Sequence, residues 1–413
     1  MRALIIGGGI GGLTTALSLH AAGIDCRIVE SAAQLKPLGV GINLQPHAVR
    51  ELTELGLGDA LERTGVRTSF MTFTDRFGGV IIALPRGLSA GYRWPQYSIH
   101  RGELQMLLLE AVRERLGADA VVTGTTFEDF VQDEDGVTAR LSTGEERADV
   151  LVGADGIHSA VRARLHPHGD HLQWCGVQMW RGVAEGEPFM DDATVLVAGS
   201  NAVAKFVAYP VSARARERGR ALINWVAEVK VAEPGVVELA DWTGQGRLEE
   251  VLTHFADWKH ALLDIPGVIA ATERILAYPM VDRDPLDGWG SGRVTLLGDA
   301  AHPVYPIGSN GGSQAVLDAR VLARCLATAG RPEDGLAAYE LERREATNAL
   351  VRAHRELPME STLRLVAERA PQGFGDIADV LTAAELAETA EAQRRLTDMD
   401  VEELNRRASW SVA

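Results

Sequence analysis

The stretch "ALIIGGGIGGLTTALSLHAAGIDCRIVE", residues 3–30, decides how the rest of the chain is read. Ala3-Leu4-Ile5-Ile6 is a short apolar run of the kind that forms a buried parallel strand. "GGGIGG" follows, and Gly7, Gly9 and Gly12 satisfy the G-x-G-x-x-G spacing. Leu13 to Ala22 predicts a helix that Gly23 ends. "CRIVE" is the next strand and closes on Glu30. A glycine loop between strand and helix, with an acid at the end of the second strand, is the dinucleotide fingerprint in its required context. Gly7 allows the tight turn, Gly9 lets backbone approach a pyrophosphate, and Gly12 lets helix and strand pack closely. The helix N-terminus attracts the phosphates. Glu30 accepts hydrogen bonds from ribose hydroxyls and disfavours a 2′-phosphate. The motif does not separate FAD from NAD.

Bulk properties narrow the setting. A chain of 413 residues is long for one core and suggests two domains. The net charge of −16 argues against nucleic acid and against an anionic membrane surface. Cys26, Cys175 and Cys325 lie far apart with no C-x-x-C, so neither a zinc site nor a redox dithiol is expected, and a reducing cytoplasm is. The glycines interrupt the N-terminal apolar run, so it is not taken as a signal peptide. No other run is long enough to suggest a membrane span.

Two later motifs carry the cofactor. "ADVLVGADGIHSAVR", residues 148–162, gives a strand, then Asp155-Gly156, then a helix from about His158. "LLGDAAHPVYPIGSNGG", residues 296–312, gives a strand end at Gly298-Asp299, a loop of small residues, and a helix from about Gly311. With these motifs in this order, the chain resembles the FAD-dependent aromatic hydroxylases, single-component flavoprotein monooxygenases of the p-hydroxybenzoate hydroxylase type. "YPIGSNGGSQAVLDA" with "NWVAE" at 224–228 is most similar to the branch containing 5-methylphenazine-1-carboxylate 1-monooxygenase.

The resemblance, over roughly residues 1–360, implies an α/β (α+β) fold. A Rossmann-like FAD-binding domain is expected from 1–69, 98–175 and 276–360. An interleaved mixed or antiparallel β-sheet substrate domain is expected from 70–97 and 176–275, and a C-terminal helical segment from 361–413. The resemblance implies FAD held by Gly7, Gly9, Gly11, Gly12, Glu30, Arg101, Asp155, Gly156, Gly298, Asp299, Gly308, Gly311 and Gly312. Arg101 opens a helix, where a cation opposes the helix dipole, so its place is better explained by an anionic partner. Asp299 suits the ribityl hydroxyls, and the small residues from Gly308 to Gly312 let backbone approach a flat ring. A branched side chain at Gly311 is expected to meet the ring edge and to resist a left-handed backbone. The glycines at 39, 41, 308, 311 and 312 are expected to permit movement between an open and a closed site.

The expected reaction is hydroxylation of a planar aromatic, phenolic, hydroxybenzoate-like or phenazine-like. The resemblance implies NADH or NADPH and O2 as co-substrates, reacting through a flavin C4a-hydroperoxide. No second glycine fingerprint exists for the nicotinamide nucleotide, since "GWGSG" at 288–292 precedes a strand. Trp180, Arg181, Tyr209, Trp225, Tyr305, Pro306 and Ile307 are the candidate pocket residues. Arg181 and Lys205 are the candidate anchors for a substrate carboxylate. His302 is expected to support its loop rather than move a proton. No general base and no metal site is assigned. A flavin halogenase is disfavoured because none of the eight tryptophans stands in W-x-W-x-I-P. A reductase or dehydrogenase on the same fold, and a non-catalytic escort module like the Rab GDP-dissociation inhibitors, are the remaining alternatives. Substrate, regiochemistry and oligomeric state are not legible.

Overall fold

The computed structural model describes residues 1–168, 170–238, 244–356, 358–397 and 400–411. The apolar run at the start is a buried strand, Arg2–Ile6, at the centre of a five-stranded parallel sheet. Its neighbours are Asp25–Val29 on one side and Val150–Gly153 on the other, with Val121–Val122 and Val294–Leu296 outermost. Parallel strands need crossovers, and helices supply them. Ile10–Ala21, Arg101–Leu116 and Gly311–Thr328 pack beside one another on this sheet.

The first crossover depends on two glycines. Gly7 turns the chain with φ of +106°. A Cβ on Gly12 would lie 2.0 Å from the Gly7 carbonyl oxygen, so only a bare Cα passes there. The helix therefore begins at the strand's end, with its N-terminus over the edge of the sheet.

The second body is an eight-stranded sheet in the order Gly235–Val237, Leu172–Gly186, Ala221–Lys230, Ala204–Pro210, Thr194–Ser200, Phe70–Thr74 and Val80–Pro85, with Leu276–Arg283 also paired to Leu172–Gly186. Every pairing is antiparallel except that of Phe70–Thr74 with Thr194–Ser200. The hairpin at 70–85 joins this sheet from far upstream, which is how the two bodies interleave. The fold class is the α/β (α+β) arrangement that the sequence implies.

Alternation along each strand divides the large sheet into two faces. Phe206, Trp225, Phe255, Trp258 and Ile269 form a core between one face and the helices Leu248–Phe255 and Ile265–Ala270. The other face carries Met71, Phe73, Val195 and Val197. Helices Pro358–Arg369 and Ala383–Thr397 cover part of it, bringing Met359, Leu363 and Val366 into the same cluster. The chain then returns to the parallel-sheet body. Asn405 Nδ2 donates to the Gly91 carbonyl, and the Arg93 N–H donates to Asn405 Oδ1. The segment around Asn405 is therefore docked.

The glycine crossing gives a direct test. Gly12→Ala forces a methyl group against backbone that cannot rotate away. Its cost is expected at or above the top of the ~1–3 kcal/mol typical of overpacked sites. Low soluble yield, or a melting temperature lowered by several degrees, is the expected result. Wild-type yield and melting would show that helix and strand do not cross this closely.

Candidate active site

The recess above the parallel sheet is built by three chain turns. At the first, Gly9 is the N-cap of Ile10–Ala21 and offers no side chain to the free N–H groups of the first turn. A Cβ on Gly9 would meet nothing within 4 Å, so no protein atom fills the space beside this cap. Glu30 is fixed at the rim. Its Oε2 accepts from the Gly8 N–H at 2.8 Å, and its Oε1 accepts from the Ala32 N–H at 2.7 Å. Gln105 Nε2 donates to the Gly8 carbonyl at 2.8 Å, tying the Arg101–Leu116 helix to the glycine loop. Arg101 is the exposed first residue of that helix, and among the described residues no carboxylate lies within ion-pair distance of it. A helix N-terminus without a cap and an unpaired guanidinium fit an anionic, hydroxyl-rich ligand such as a dinucleotide.

The second turn holds Asp155 and Gly156. The helix after it starts at Ala160, two residues later than His158, because Ser159 is the N-cap and its Oγ accepts from the Arg162 N–H. Asp155 uses its Oδ2 on the Ala160 and Val161 N–H groups at 2.7 and 3.2 Å, and its Oδ1 on the Ser159 hydroxyl at 2.5 Å. Burial raises its carboxyl pKa. Arg162, 1% exposed, donates to the Ala300 and Ala301 carbonyls at 3.1 and 2.8 Å and pairs with Asp170. It staples the second turn to the third.

The third turn is Gly298-Asp299. Asp299 is accessible, yet protein atoms ring it, so it lines a recess rather than open surface. That enclosure raises its carboxyl pKa, while the nearby His302 and Arg101 pull the other way. Arg101 and Asp299 thus sense each other across the same recess. The loop is held from beneath by Asp318, which the sequence reading did not single out. Its Oδ2 accepts from the Gly298 N–H at 3.1 Å and from His302 Nε2 at 2.6 Å, and its Oδ1 accepts from Arg343 Nε at 2.7 Å. Burial pushes the Asp318 carboxyl up, but the charges and hydrogen bonds of His302 and Arg343 outweigh it and hold the pKa at about 2. His302, 2% exposed, supports its loop in this arrangement.

Two expectations about the loop glycines change. The left-handed residues are Gly308 and Ser309, at φ +74° and +59°, whereas Gly311 is the first residue of its helix. A Cβ on Gly311 would sit 3.5 Å from Asp299 Oδ1 and 3.8 Å from Val304 Cγ2, which are ordinary contacts. Gly41 is not a hinge. Its N–H donates to Asn224 Oδ1 at 2.7 Å, and its carbonyl accepts from Arg181 Nη2 at 2.8 Å and the Tyr209 hydroxyl at 2.9 Å.

Between the third turn and the large sheet lies a cavity that is partly open to solvent. The loop side is Pro306, Ile307, Gly308 and Ser309, and Asn43 joins them. The sheet side is Arg181, Lys205, Val207, Tyr209, Val226 and Glu228, with Met71, Phe73, Val195 and Val197. The remaining wall is Met359, Glu360, Leu363 and Gln393 from the C-terminal helices. Of the seven candidates, Arg181, Tyr209, Pro306 and Ile307 are brought together. Trp180 and Trp225 are turned to the opposite face, because each is adjacent in its strand to a cavity residue, Arg181 and Val226. Trp225 Nε1 donates there to Thr272 Oγ1 at 2.8 Å. Tyr305 packs among Val177, Met179 and Met280 and does not line the cavity.

Arg181 stays cationic: burial opposes its charge, but Tyr278 and Tyr209 beside it raise its pKa above the usual arginine value. Lys205 is not a free anchor. Its ammonium lies 2.7 Å from Glu228 and 2.5 Å from Glu360. Burial alone would lower its pKa, and the two carboxylates overcome this and raise it. Glu228 was readable in principle, since alternation puts it on the same face as Val226. Nothing in "PMEST" signals that Glu360 reaches the same cavity.

A family model described as "FAD binding domain" matches residues 1–354. The chain is 50% identical over 361 residues, 86% of this chain and 89% of the relative, to phenazine 1,6-dicarboxylic acid hydroxylase PhzS of Lysobacter antibioticus. It is 32% identical to 3-hydroxybenzoate 6-hydroxylase of Klebsiella oxytoca, over 86% and 88% of the two chains. Among solved structures, Klebsiella pneumoniae HpxO complexed with FAD and uric acid superposes with a TM-score of 0.75 at 24% identity, covering 96% and 97% of the chains. The 2,6-dihydroxypyridine-3-hydroxylase from Arthrobacter nicotinovorans gives 0.70 at 26%, covering 88% and 92%.

Asp318 and Gly311 separate support from contact. Asp318→Asn is expected to cost at least about 3 kcal/mol, as when one partner of a buried pair is removed. The folded-state pKa lies below the unfolded value. The stability Asp318 confers is therefore present above about pH 4 and lost as pH falls toward 2, on the order of 2 kcal/mol. Acid unfolding of wild type and variant should converge in that window. Gly311→Ala should leave apoprotein melting unchanged yet weaken FAD binding at least tenfold by titration. Unchanged FAD affinity would mean that the ring does not approach this residue.

Proposed function

The chain belongs to the FAD-binding-domain family and is an FAD-dependent aromatic monooxygenase, and from that premise we propose that it hydroxylates a planar polycyclic aromatic carboxylate of the phenazine type. The observation that carries this reading is the cavity between the large sheet and the loop at Pro306–Ser309. Aliphatic, Met and Phe side chains make flat walls, and among the described residues Arg181 is a lining cation with no carboxylate within ion-pair distance. The 50% identity to a phenazine dicarboxylate hydroxylase supports the same ring size.

FAD, when bound, supplies electron storage and oxygen activation, with NAD(P)H as the reductant. The chain's part is to bind, orient and exclude water. The Ile10–Ala21 N-terminus and Arg101 would hold the anionic part of the cofactor. Glu30 would accept from ribose hydroxyls and Asp299 from the ribityl chain. Gly298, Gly308, Gly311 and Gly312 would leave the ring free of side chains. Arg181 orients the substrate through its carboxylate, and Tyr209 and Arg181 together hold the Gly41 carbonyl. Val195, Val197, Val207 and Leu363 give the cavity an apolar wall that would limit water at the reacting face. No side chain is assigned as a general base.

A screen of NAD(P)H consumption by the holoenzyme tests this. A phenazine carboxylate is expected to accelerate consumption at least about tenfold, roughly 1.4 kcal/mol of barrier, over the ligand-free rate. One atom from 18O2 should appear in the product hydroxyl. Label arriving from water, or no acceleration by any phenazine while a single-ring phenol accelerates, would remove the substrate assignment.

A further inference from the structure

The charges in the cavity are not evenly placed. Arg181 pairs across the sheet with Val226, which pairs with Val207. Lys205 pairs with Glu228, which pairs with Met179. Arg181 and Lys205 therefore stand two strands apart and two residues out of step, roughly 10 Å across the sheet and 7 Å along it. Around Lys205, two carboxylates face one ammonium, and the Lys205, Glu228 and Glu360 side chains are only 7%, 6% and 14% exposed. Glu360 is held there from both sides: its Oε2 also accepts from the Asn201 N–H at 2.9 Å. At the other end Arg181 donates to the Gly41 carbonyl and the Tyr278 hydroxyl, both uncharged, its Nε is buried without a partner, and Glu228 on the strand between acts on it through space without an ion-pair contact.

We propose that this cavity is a charge filter, positive at Arg181 and carrying one excess negative charge at Lys205–Glu228–Glu360, which admits planar aromatic monocarboxylates with a neutral or cationic far rim and rejects dicarboxylates. The inference rests on the reading of the substrate as a polycyclic aromatic carboxylate and deepens it. One carboxylate neutralises Arg181. A second carboxylate on the opposite rim of a tricycle is brought against an end that already holds a surplus anion in a site with little water, where like charges repel strongly. A hydrogen-bond donor or ring cation at that rim is favoured instead. Glu228 and Glu360 are specificity-determining residues in this scheme, and neither takes part in oxygen transfer. The relative that is 50% identical is named for a dicarboxylate, the class of ligand that this filter rejects.

The test uses the FAD-loaded enzyme and two matched ligand pairs, phenazine-1-carboxylate against phenazine-1,6-dicarboxylate and naphthalene-1-carboxylate against naphthalene-1,5-dicarboxylate. Dissociation constants come from flavin absorbance changes and from calorimetry. Wild type should bind each monocarboxylate at least tenfold more tightly than its dicarboxylate. Glu360→Gln and Glu228→Gln keep size and hydrogen bonding but remove the surplus charge. Each should narrow that ratio at least fivefold, chiefly by tightening the dicarboxylate. Equal or tighter binding of dicarboxylates by wild type overturns the filter without any variant, so a variant that fails to fold does not rescue it. An unchanged ratio in a variant with wild-type melting also overturns it. If the phenazines are refused while the naphthalene pair keeps its preference, the ring assignment fails and the filter stands. Refusal of both pairs overturns both.

Discussion

Asp318 receives three donors on two oxygens, and each comes from a different part of the chain. The Gly298 N–H belongs to the end of the last parallel strand, His302 to the loop that follows it, and Arg343 to the long Pro332–Glu356 helix. Asp318 itself is on the Gly311–Thr328 helix and is 0% exposed. A buried carboxylate is costly unless all its lone pairs are engaged. The four elements therefore come together or the charge is stranded. This is why a loop of small residues with little core of its own is held in one place. Arg162 adds a second hold by donating to the Ala300 and Ala301 carbonyls, with its own charge balanced by Asp170. The floor of the cavity rests on these two groups.

The large sheet supplies the opposite wall under a stricter constraint. One face must pack against helices, so only every second residue of each strand is available to a ligand. In Ala221–Lys230, Trp225 and Ala227 go to the helix-packed core, and Val226 and Glu228 go to the cavity. In Ala204–Pro210, Phe206 and Ala208 are core, and Lys205, Val207 and Tyr209 face the ligand. Trp180 and Trp225 go to the core. The cavity is left with aliphatic, Met and Phe side chains and a few charged ones.

This parity explains what the sequence shows and what it hides. The glycine crossing, Glu30 and the Gly298-Asp299 turn are legible because each is a local pattern with a local physical cause. Arg181 is legible as a candidate anchor for a carboxylate and Tyr209 as an aromatic wall residue. Trp180 and Trp225 attract notice as aromatics, but residue type does not tell which of two faces is the wet one. Register decides it, and register is a property of partners distant in sequence. Asp318 is hidden for a related reason. An acid in the middle of a helix reads as surface until Gly298, His302 and Arg343 are known to meet it. Gly41 is misread in the opposite sense. It is small because Val211 and Asn224 crowd it, with a Cβ destined for 2.6–2.7 Å contacts, and not because the chain bends there.

The C-terminal segment is where local reading has least to work with and where the cavity gains its last wall. A polar, acidic run of helices suggests an appendage, yet Glu360 reaches the Ser200–Lys205 turn and engages both a backbone N–H and the Lys205 ammonium. Met359 and Leu363 flank it one turn apart, so the ionic contact and the apolar cover arrive on one helix face. Further on, Arg50 donates to the Leu404 carbonyl, and the Trp410 N–H donates to Glu51. The segment thus runs from the large sheet back to the parallel-sheet body and is anchored at both ends. An ammonium left with Glu228 alone would be satisfied as a pair. The second carboxylate is more than charge balance requires, and its position on a covering helix joins closure of the cavity to the sign of the field inside it.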